Sequence, residues 1–473
     1  MLFNSLLFWL FFAVVFAGYW LLRHKSQNAW LLLASYIFYG AWDWRFLSLL
    51  FLSTLVDYLC AQRVDAAKNP KHRKAWLVLS LGFNLGLLGF FKYFNFFAGS
   101  LKGFLGFWGF EADFVTLHII LPVGISFYTF QTMSYVIDVY RKELKPARNF
   151  VDFALFVSFF PQLVAGPIER AGTLLPQVQS SRVFKIQSFY DGGWLILWGL
   201  FKKIVIADNA ALLADAAFSS SGLPGWFSLC GVYAFALQIY GDFSGYSDIA
   251  RGLAKWLGFE LMVNFRSPYI AESPVDFWRR WHISLSTWLR DYVYIPLGGN
   301  RGNALQTYSN LLLTMAIGGL WHGASWTFIV WGVYHGILLV ANKFWAGKTF
   351  LSRPQPFIRI FRILATFHLV CLGWIFFRAG SLTQALVFLG NIFYRFDAPV
   401  FFQSILSGTM AAFLIMILGL VGIYAYNHAG PIGMRWRLSQ APALIRSTVY
   451  VLLIYFIIYG GVSHAQQFIY FQF

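Results

Sequence analysis

The chain has 473 residues, of which 59% are hydrophobic and only 12% charged. A soluble domain is about one-quarter charged, so composition excludes a soluble globular protein and indicates one built largely inside a membrane. The net charge of +17 would suit a nucleic-acid binder, but the lysines and arginines sit in short loops between apolar runs, as positive-inside orientation requires; nucleic acid is excluded as a partner.

Apolar runs fall at residues 2–22, 29–39, 46–60, 76–91, 117–140, 150–164, 189–206, 226–240, 311–330, 328–344, 358–377, 404–426 and 443–459. At roughly 20 residues per crossing they predict about 11–13 transmembrane or re-entrant helices, several of them short or broken by Gly and Pro. All are helices, because backbone exposed to lipid must satisfy its own hydrogen bonds. The first run lacks a preceding positive charge and is too long for a signal-peptide core, so it reads as an uncleaved span. With no internal repeat and no long linker, the expectation is an all-α polytopic membrane protein with one integral-membrane domain over 1–473 and an aromatic tail at 466–473. Arg63, Lys68, Lys71, Arg73 and Lys74 form one basic loop, and Arg141, Lys142, Lys145 and Arg148 another; both are expected in the cytoplasm. Arg435, Arg437 and Arg446 precede the last run and place the tail outside. Cys60, Cys230 and Cys371 sit in apolar sequence without paired spacing, as buried free thiols do.

Residues 251–301 break the pattern. Trp278, Trp281, Trp288 and Tyr292 alternate with Arg279, Arg280, Arg290 and Asp291, and the segment ends in the helix-breaking run Pro296-Leu297-Gly298-Gly299-Asn300-Arg301-Gly302. Such a segment lies in the membrane interface or dips partway in, and here it reads as the cytoplasmic wall of a substrate tunnel, with Arg279, Arg280 and Trp281 at its mouth.

Two histidines carry the chemistry. His322 stands in Gly318-Gly319-Leu320-Trp321-His322-Gly323-Ala324-Ser325-Trp326, an imidazole in apolar sequence. A group that titrates near neutral pH is costly to desolvate in lipid, so it faces a polar path and marks function. The alternative is a structural histidine inside a helix bundle. As a general base it would take a proton from a weakly acidic hydroxyl. Gly319 and Gly323 flank it at helical spacing and leave room for a ligand or for close helix packing. His282 would orient a thioester donor or polarise its carbonyl; the alternative is a ring resting at the interface. His335 reads as structural or as support. Asp242 and Asp248 read first as ion-pair partners of Arg251 and second as groups that order the tunnel. The histidines lack metal-ligand spacing, so no metal is expected, and no Gly-x-Ser-x-Gly elbow, phosphate loop or dinucleotide fingerprint occurs.

Several motifs in this order carry a resemblance: Leu121-Pro122-Val123-Gly124-Ile125-Ser126-Phe127-Tyr128-Thr129-Phe130, Phe160-Pro161-Gln162-Leu163-Val164-Ala165-Gly166-Pro167, the run from Asp242 to Asp248, the segment from Asp276 to Asn300, and Trp321-His322-Gly323. Together they resemble the bacterial membrane-bound O-acyltransferases, the MBOAT family, and within it the alginate O-acetyltransferase branch. That resemblance implies helices around a central tunnel, with acetyl-CoA as a cytoplasmic donor and no bound cofactor. It also implies O-acetylation of an exported or cell-wall polysaccharide, an extracytoplasmic acetyltransferase partner, and residence in the bacterial inner membrane. The family's essential histidine corresponds to His322 and its second, more variable position to His282. The tail, Gln466-Gln467-Phe468-Ile469-Tyr470-Phe471-Gln472-Phe473, would serve as an aromatic belt. It also resembles the aromatic terminus of the small partner in D-alanyl export systems, which implies Tyr470 as an acyl carrier. Two other readings stand beside this one: D-alanyl transfer to teichoic acids, and proton-coupled transport without acyl chemistry.

Overall fold

The structure, a computed structural model, describes residues 1–110, 117, 119–163, 166–219, 224–345, 356–394, 430–462 and 468–469. The run at 404–426 and Tyr470 lie outside the described residues. Among those described the chain is helical, without a strand. Helical stretches long and apolar enough to cross a membrane are His24–Ala66, Pro70–Phe107, Trp326–Trp345 and Pro356–Arg378, with shorter apolar helices at Leu6–Leu21, Leu382–Tyr394 and Ala443–Tyr459. The chain is an all-α polytopic membrane protein.

It divides into two compact units, Met1–Gly192 with Leu253–Met262, and Gly193–Gly252 with Val263–Phe473. The first unit carries α1 (Leu6–Leu21), α2 (His24–Asp43), α3 (Leu47–Ala66), α4 (Pro70–Leu88), α5 (Phe94–Phe107), α6 (Ile125–Arg141), α7 (Phe150–Ser158), α8 (Phe160–Leu163), α9 (Ala171–Gln179) and the start of α10 (Ile186–Leu200). Local chemistry sets these boundaries. Asn69 accepts from Lys71 N–H at 2.8 Å with Pro70 at the first helical position, and Asn149 accepts from Val151 N–H at 2.9 Å, each satisfying an otherwise orphaned donor. Inside the bundle, Asn84 Nδ2 of α4 donates to both carboxylate oxygens of Asp57 on α3, at 2.9 and 2.8 Å. A buried carboxylate is tolerated only when its lone pairs are used in this way.

The second unit carries the rest of α10, then α11 (Asp208–Ser219), most of α12 (Gly225–Trp256), α13 (Pro274–Arg280), α14 (Ile283–Leu289), α15 (Ala304–His322), α16 (Trp326–Trp345), α17 (Pro356–Arg378), α18 (Leu382–Tyr394), α19 (Gly430–Gln440) and α20 (Ala443–Tyr459). Two backbone contacts organise it. A Cβ on Gly199 of α10 would lie 2.6 Å from Gly245 O of α12, and one on Gly245 would lie 2.8 Å from Gly199 O, so the two helices cross with their backbones touching. Directly after Gly199 the chain widens into a π turn at Phe201–Ala207, which sets Lys202 and Lys203 against the acidic face of α12. The second contact joins α15 to α16: a Cβ on Gly319 would stand 2.2 Å from Phe328 O, and one on Gly332 would stand 2.2 Å from Met315 O. Of the two roles open to Gly319, the structure selects close helix packing.

The run read at 311–330 is not one helix. α15 ends at His322 because Gly323 is extended (φ −160°, ψ 151°), and α16 restarts after Ser325, whose Oγ accepts from Thr327 N–H at 3.3 Å. The break puts His322 at a helix end instead of in mid-span. Likewise 29–39 and 46–60 join through the short turn Trp44–Phe46 into one bent stretch, while 150–164 splits at Phe159 into α7 and α8.

Candidate active site

His322 is the last residue of α15 and only 4% exposed. Its ring is walled by Trp321 at 5.0 Å between centroids, by Trp331 at 5.0 Å and an interplanar angle of 90°, and by Phe377 at 5.2 Å. The His282 ring lies 6.3 Å away. Forty residues apart in sequence (322 − 282), the two imidazoles are buried side by side.

His282 sits between α13 and α14 with φ 42° and ψ 55°, a left-handed conformation that side chains other than glycine rarely adopt. Such strain persists only where surrounding structure enforces it, and it concentrates at functional sites. The enforcing residue is Asn264. Its backbone oxygen accepts from Ile283 N–H at 2.9 Å, and its Oδ1 accepts from Ser284 N–H at 3.1 Å and Ser284 Oγ at 2.9 Å. A backbone N–H can only donate, so the side-chain atom facing it is oxygen. His282 Nδ1, 3.3 Å from that same oxygen, therefore carries the ring proton, which leaves Nε2 as the basic nitrogen. Burial pushes the imidazole down to about 3, so His282 stays neutral throughout the physiological range.

His335, on α16, is 1% exposed and shares the Trp331 wall, their centroids 4.9 Å apart. It also packs on Trp278 at 5.2 Å and on Phe277 at 6.0 Å. Gly323 is needed because a Cβ there would meet the Phe328 ring at 2.2 Å. Phe328 stands edge-on to Phe377 at 4.8 Å, and Phe377 touches His322. Gly323→Ala is therefore expected to displace His322 through two rings and lower turnover by about tenfold or more. Initial rates, compared with a melting control for fold, check this.

The residues expected at a tunnel mouth separate. Arg279 is exposed, and Arg280 Nε is tied to Asp276 Oδ1 at 2.8 Å. Trp281 is 1% exposed, stacked on Phe277 at 5.6 Å and packed against Trp374 at 5.0 Å. It is a core residue, because the i, i+4 spacing of Phe277 and Trp281 turns both inward while the arginines turn out.

The acidic run on α12 also divides. Asp248 pairs with Arg251 at 3.1 Å, as expected, and with Lys202 at 2.7 Å. Asp242 does not pair with Arg251. Its Oδ1 meets Lys203 Nζ at 2.8 Å, Lys203 meets Asp208 at 2.8 Å, and Asp242 Oδ2 accepts from the backbone N–H of Ile469 at 2.7 Å. Sequence reasoning missed Lys203 and Asn264. Lys203 had a signal, two adjacent lysines inside the apolar run 189–206; Asn264 had none.

Comparison with known proteins gives the family. Residues 142–379 match the model of the membrane-bound O-acyltransferase family, MBOAT. The chain is 40% identical to a probable alginate O-acetylase of Pseudomonas putida over 100% of both chains. It is 46% identical to a probable alginate O-acetylase of Azotobacter vinelandii over 81% of this chain and 76% of that one. A peptidoglycan O-acetyltransferase of Helicobacter pylori is 40% identical over 82% of this chain and 78% of its own. The matched segment contains Asp242, His282 and His322, and the three relatives are named for two different glycans, alginate and peptidoglycan.

Proposed function

Since the chain belongs to the membrane-bound O-acyltransferase family, we propose that it draws acetyl groups from acetyl-CoA on the cytoplasmic side of the bacterial inner membrane. It passes them outward for O-acetylation of an exported or cell-wall polysaccharide of the alginate type. As a family member it is an O-acyltransferase, so the transport reading is set aside. The observation that carries the proposal is the pair of buried imidazoles 6.3 Å apart, one at a helix end and one in a left-handed turn held by Asn264.

His322 acts as general base on the Tyr470 phenol, whose ordinary pKa of about 10 makes it the most acidic hydroxyl among side chains. The phenolate oxygen attacks the thioester carbonyl, the C–S bond breaks, and the leaving thiolate takes the proton back from the imidazolium. The products are an acetyl-tyrosine ester and free CoA. Phenolate is a far better leaving group than a sugar alkoxide, so the ester can pass its acetyl to a glycan hydroxyl with the help of an extracytoplasmic partner protein. His282, neutral and accepting at Nε2, holds a hydroxyl or an N–H beside the reacting centre. The buried Trp278 Nε1, Trp331 Nε1 and both His335 nitrogens have no hydrogen-bond partner among the described residues. Buried polar atoms left so are costly, and this set, two indole N–H donors with one donor and one acceptor on the His335 ring, suits a ligand with amide groups such as the pantetheine arm of CoA.

With isotopically labelled acetyl-CoA, mass spectrometry of the C-terminal peptide is expected to find label on Tyr470 in the wild type and none in His322→Ala. Tyr470→Phe is expected to abolish glycan acetylation in cells; full acetylation in that variant removes the tyrosine from the pathway.

A further inference from the structure

We infer that Asp242 is the anchor that docks and registers the tail: a buried carboxylate on α12 binds the backbone N–H of Ile469, and the Phe468 ring fills the aromatic slot beside it. This rests on the reading of Tyr470 as carrier for its catalytic meaning, though not for its geometry. Phe468 is 0% and Ile469 1% exposed, burial as deep as in any core helix of the unit. The Phe468 ring lies 4.3 Å from Tyr246 and 6.0 Å from Phe243 between centroids. Phe243 in turn stands edge-on to His282 at 4.6 Å and 89°. Phe468 thus lies one ring away from His282.

A carboxylate so deeply buried would be costly unless neutralised, and Lys203 does this from the opposite side, itself shared with Asp208. With Oδ1 occupied by Lys203, Oδ2 is left to accept from the chain. A charge-assisted bond to a backbone N–H is about twice as strong as a neutral one and is blind to side-chain identity, so it fixes register while Phe468 supplies selectivity. A slip of one residue would remove the ring from the Tyr246 slot. Gly460, just past α20, is tethered too, accepting from Asn209 Nδ2 at 2.8 Å. Asp242 is a positioning residue; it acts through the tail and touches no reacting atom.

Two variants test this in purified full-length protein. Asp242→Asn keeps the side-chain shape and removes the charge, and the readout is chymotrypsin cleavage after Phe468, which requires the tail to leave its slot. Cleavage is expected to accelerate on the order of ten- to a hundredfold, the factor one charge-assisted hydrogen bond represents; an unchanged rate overturns the assignment. Ile469→Pro removes the donating N–H from the other partner, with Ile469→Val as the control that keeps it. Label on the tail from acetyl-CoA is expected to fall by a similar factor in the proline variant only, while CoA release persists through hydrolysis. Equal labelling of the two variants overturns the positioning role. If wild-type protein carries no label while Asp242→Asn still frees the tail, the anchor stands and the acyl-carrier reading fails.

Discussion

His322→Gln is expected to slow acetyl transfer by about 10²–10⁴, the usual contribution of a positioned general base. Glutamine is chosen because it has similar reach and leaves the surrounding rings in place. His322 touches Trp321, Trp331 and Phe377, and truncation to alanine would open a cavity among them that costs stability in its own right. The two effects are then separable: thioester cleavage measured by released thiol, glycan acetate measured in cells, and a melting curve in detergent that should shift little. A loss of tenfold or less would move the base elsewhere. His282 would be a poor replacement, since burial holds its imidazole near 3, leaving little driving force to remove a phenolic proton at pH 7. His282→Gln is accordingly expected to cost less than His322→Gln.

Much of the fold was legible because apolar runs in a membrane protein are close to a direct readout of helices. The run at 443–459 coincides with α20 at both ends, and the first run contains α1. What failed is what mean hydropathy averages away. The break between α15 and α16 spans three residues, Gly323 to Ser325, too few to register in a window of spanning length. Its real signals are local: a glycine that must be small against Phe328 and a serine that caps the next helix. The site was legible only in part for a related reason. His322 stood out as an isolated imidazole, but nothing in forty intervening residues fixes His282 beside it. That proximity comes from the left-handed turn enforced by Asn264, a tertiary hydrogen bond without a sequence pattern. The burial of Trp281 was not legible because aromatic and basic residues in alternation also describe an interface; only helical phase separates the inward Phe277 and Trp281 from the outward arginines. Asp242 was assigned to Arg251 because an arginine nine residues along the same helix is visible in sequence, whereas a lysine brought in by the Gly199–Gly245 crossing is not.

Lys203→Met is expected to be among the most destabilising single changes in the second unit, by about 3–5 kcal/mol, because removing one partner strands a buried charge. Here one lysine serves two carboxylates. Lys203 is 1% exposed at the side chain, Asp242 3% and Asp208 5%, so bulk water cannot take over the lysine's role. Methionine matches its length and fills the volume, which confines the loss to charge. The compensating variant Lys203→Met with Asp208→Asn and Asp242→Asn should recover most of the stability, since replacing a whole buried ion cluster by neutral groups is often close to neutral. Detergent melting of wild type, single and triple variants measures both steps, and a single variant as stable as wild type would mean the cluster is not held as a charged unit. The triple variant also separates two roles that the cluster combines. Stability returns when the charges are removed together, whereas tail docking does not, because the bond to Ile469 N–H draws its strength from the ionised Asp242. A protein that melts like wild type yet leaves Phe468 open to protease would locate the function of this buried charge in holding the tail, with the fold needing it only because the charge is there.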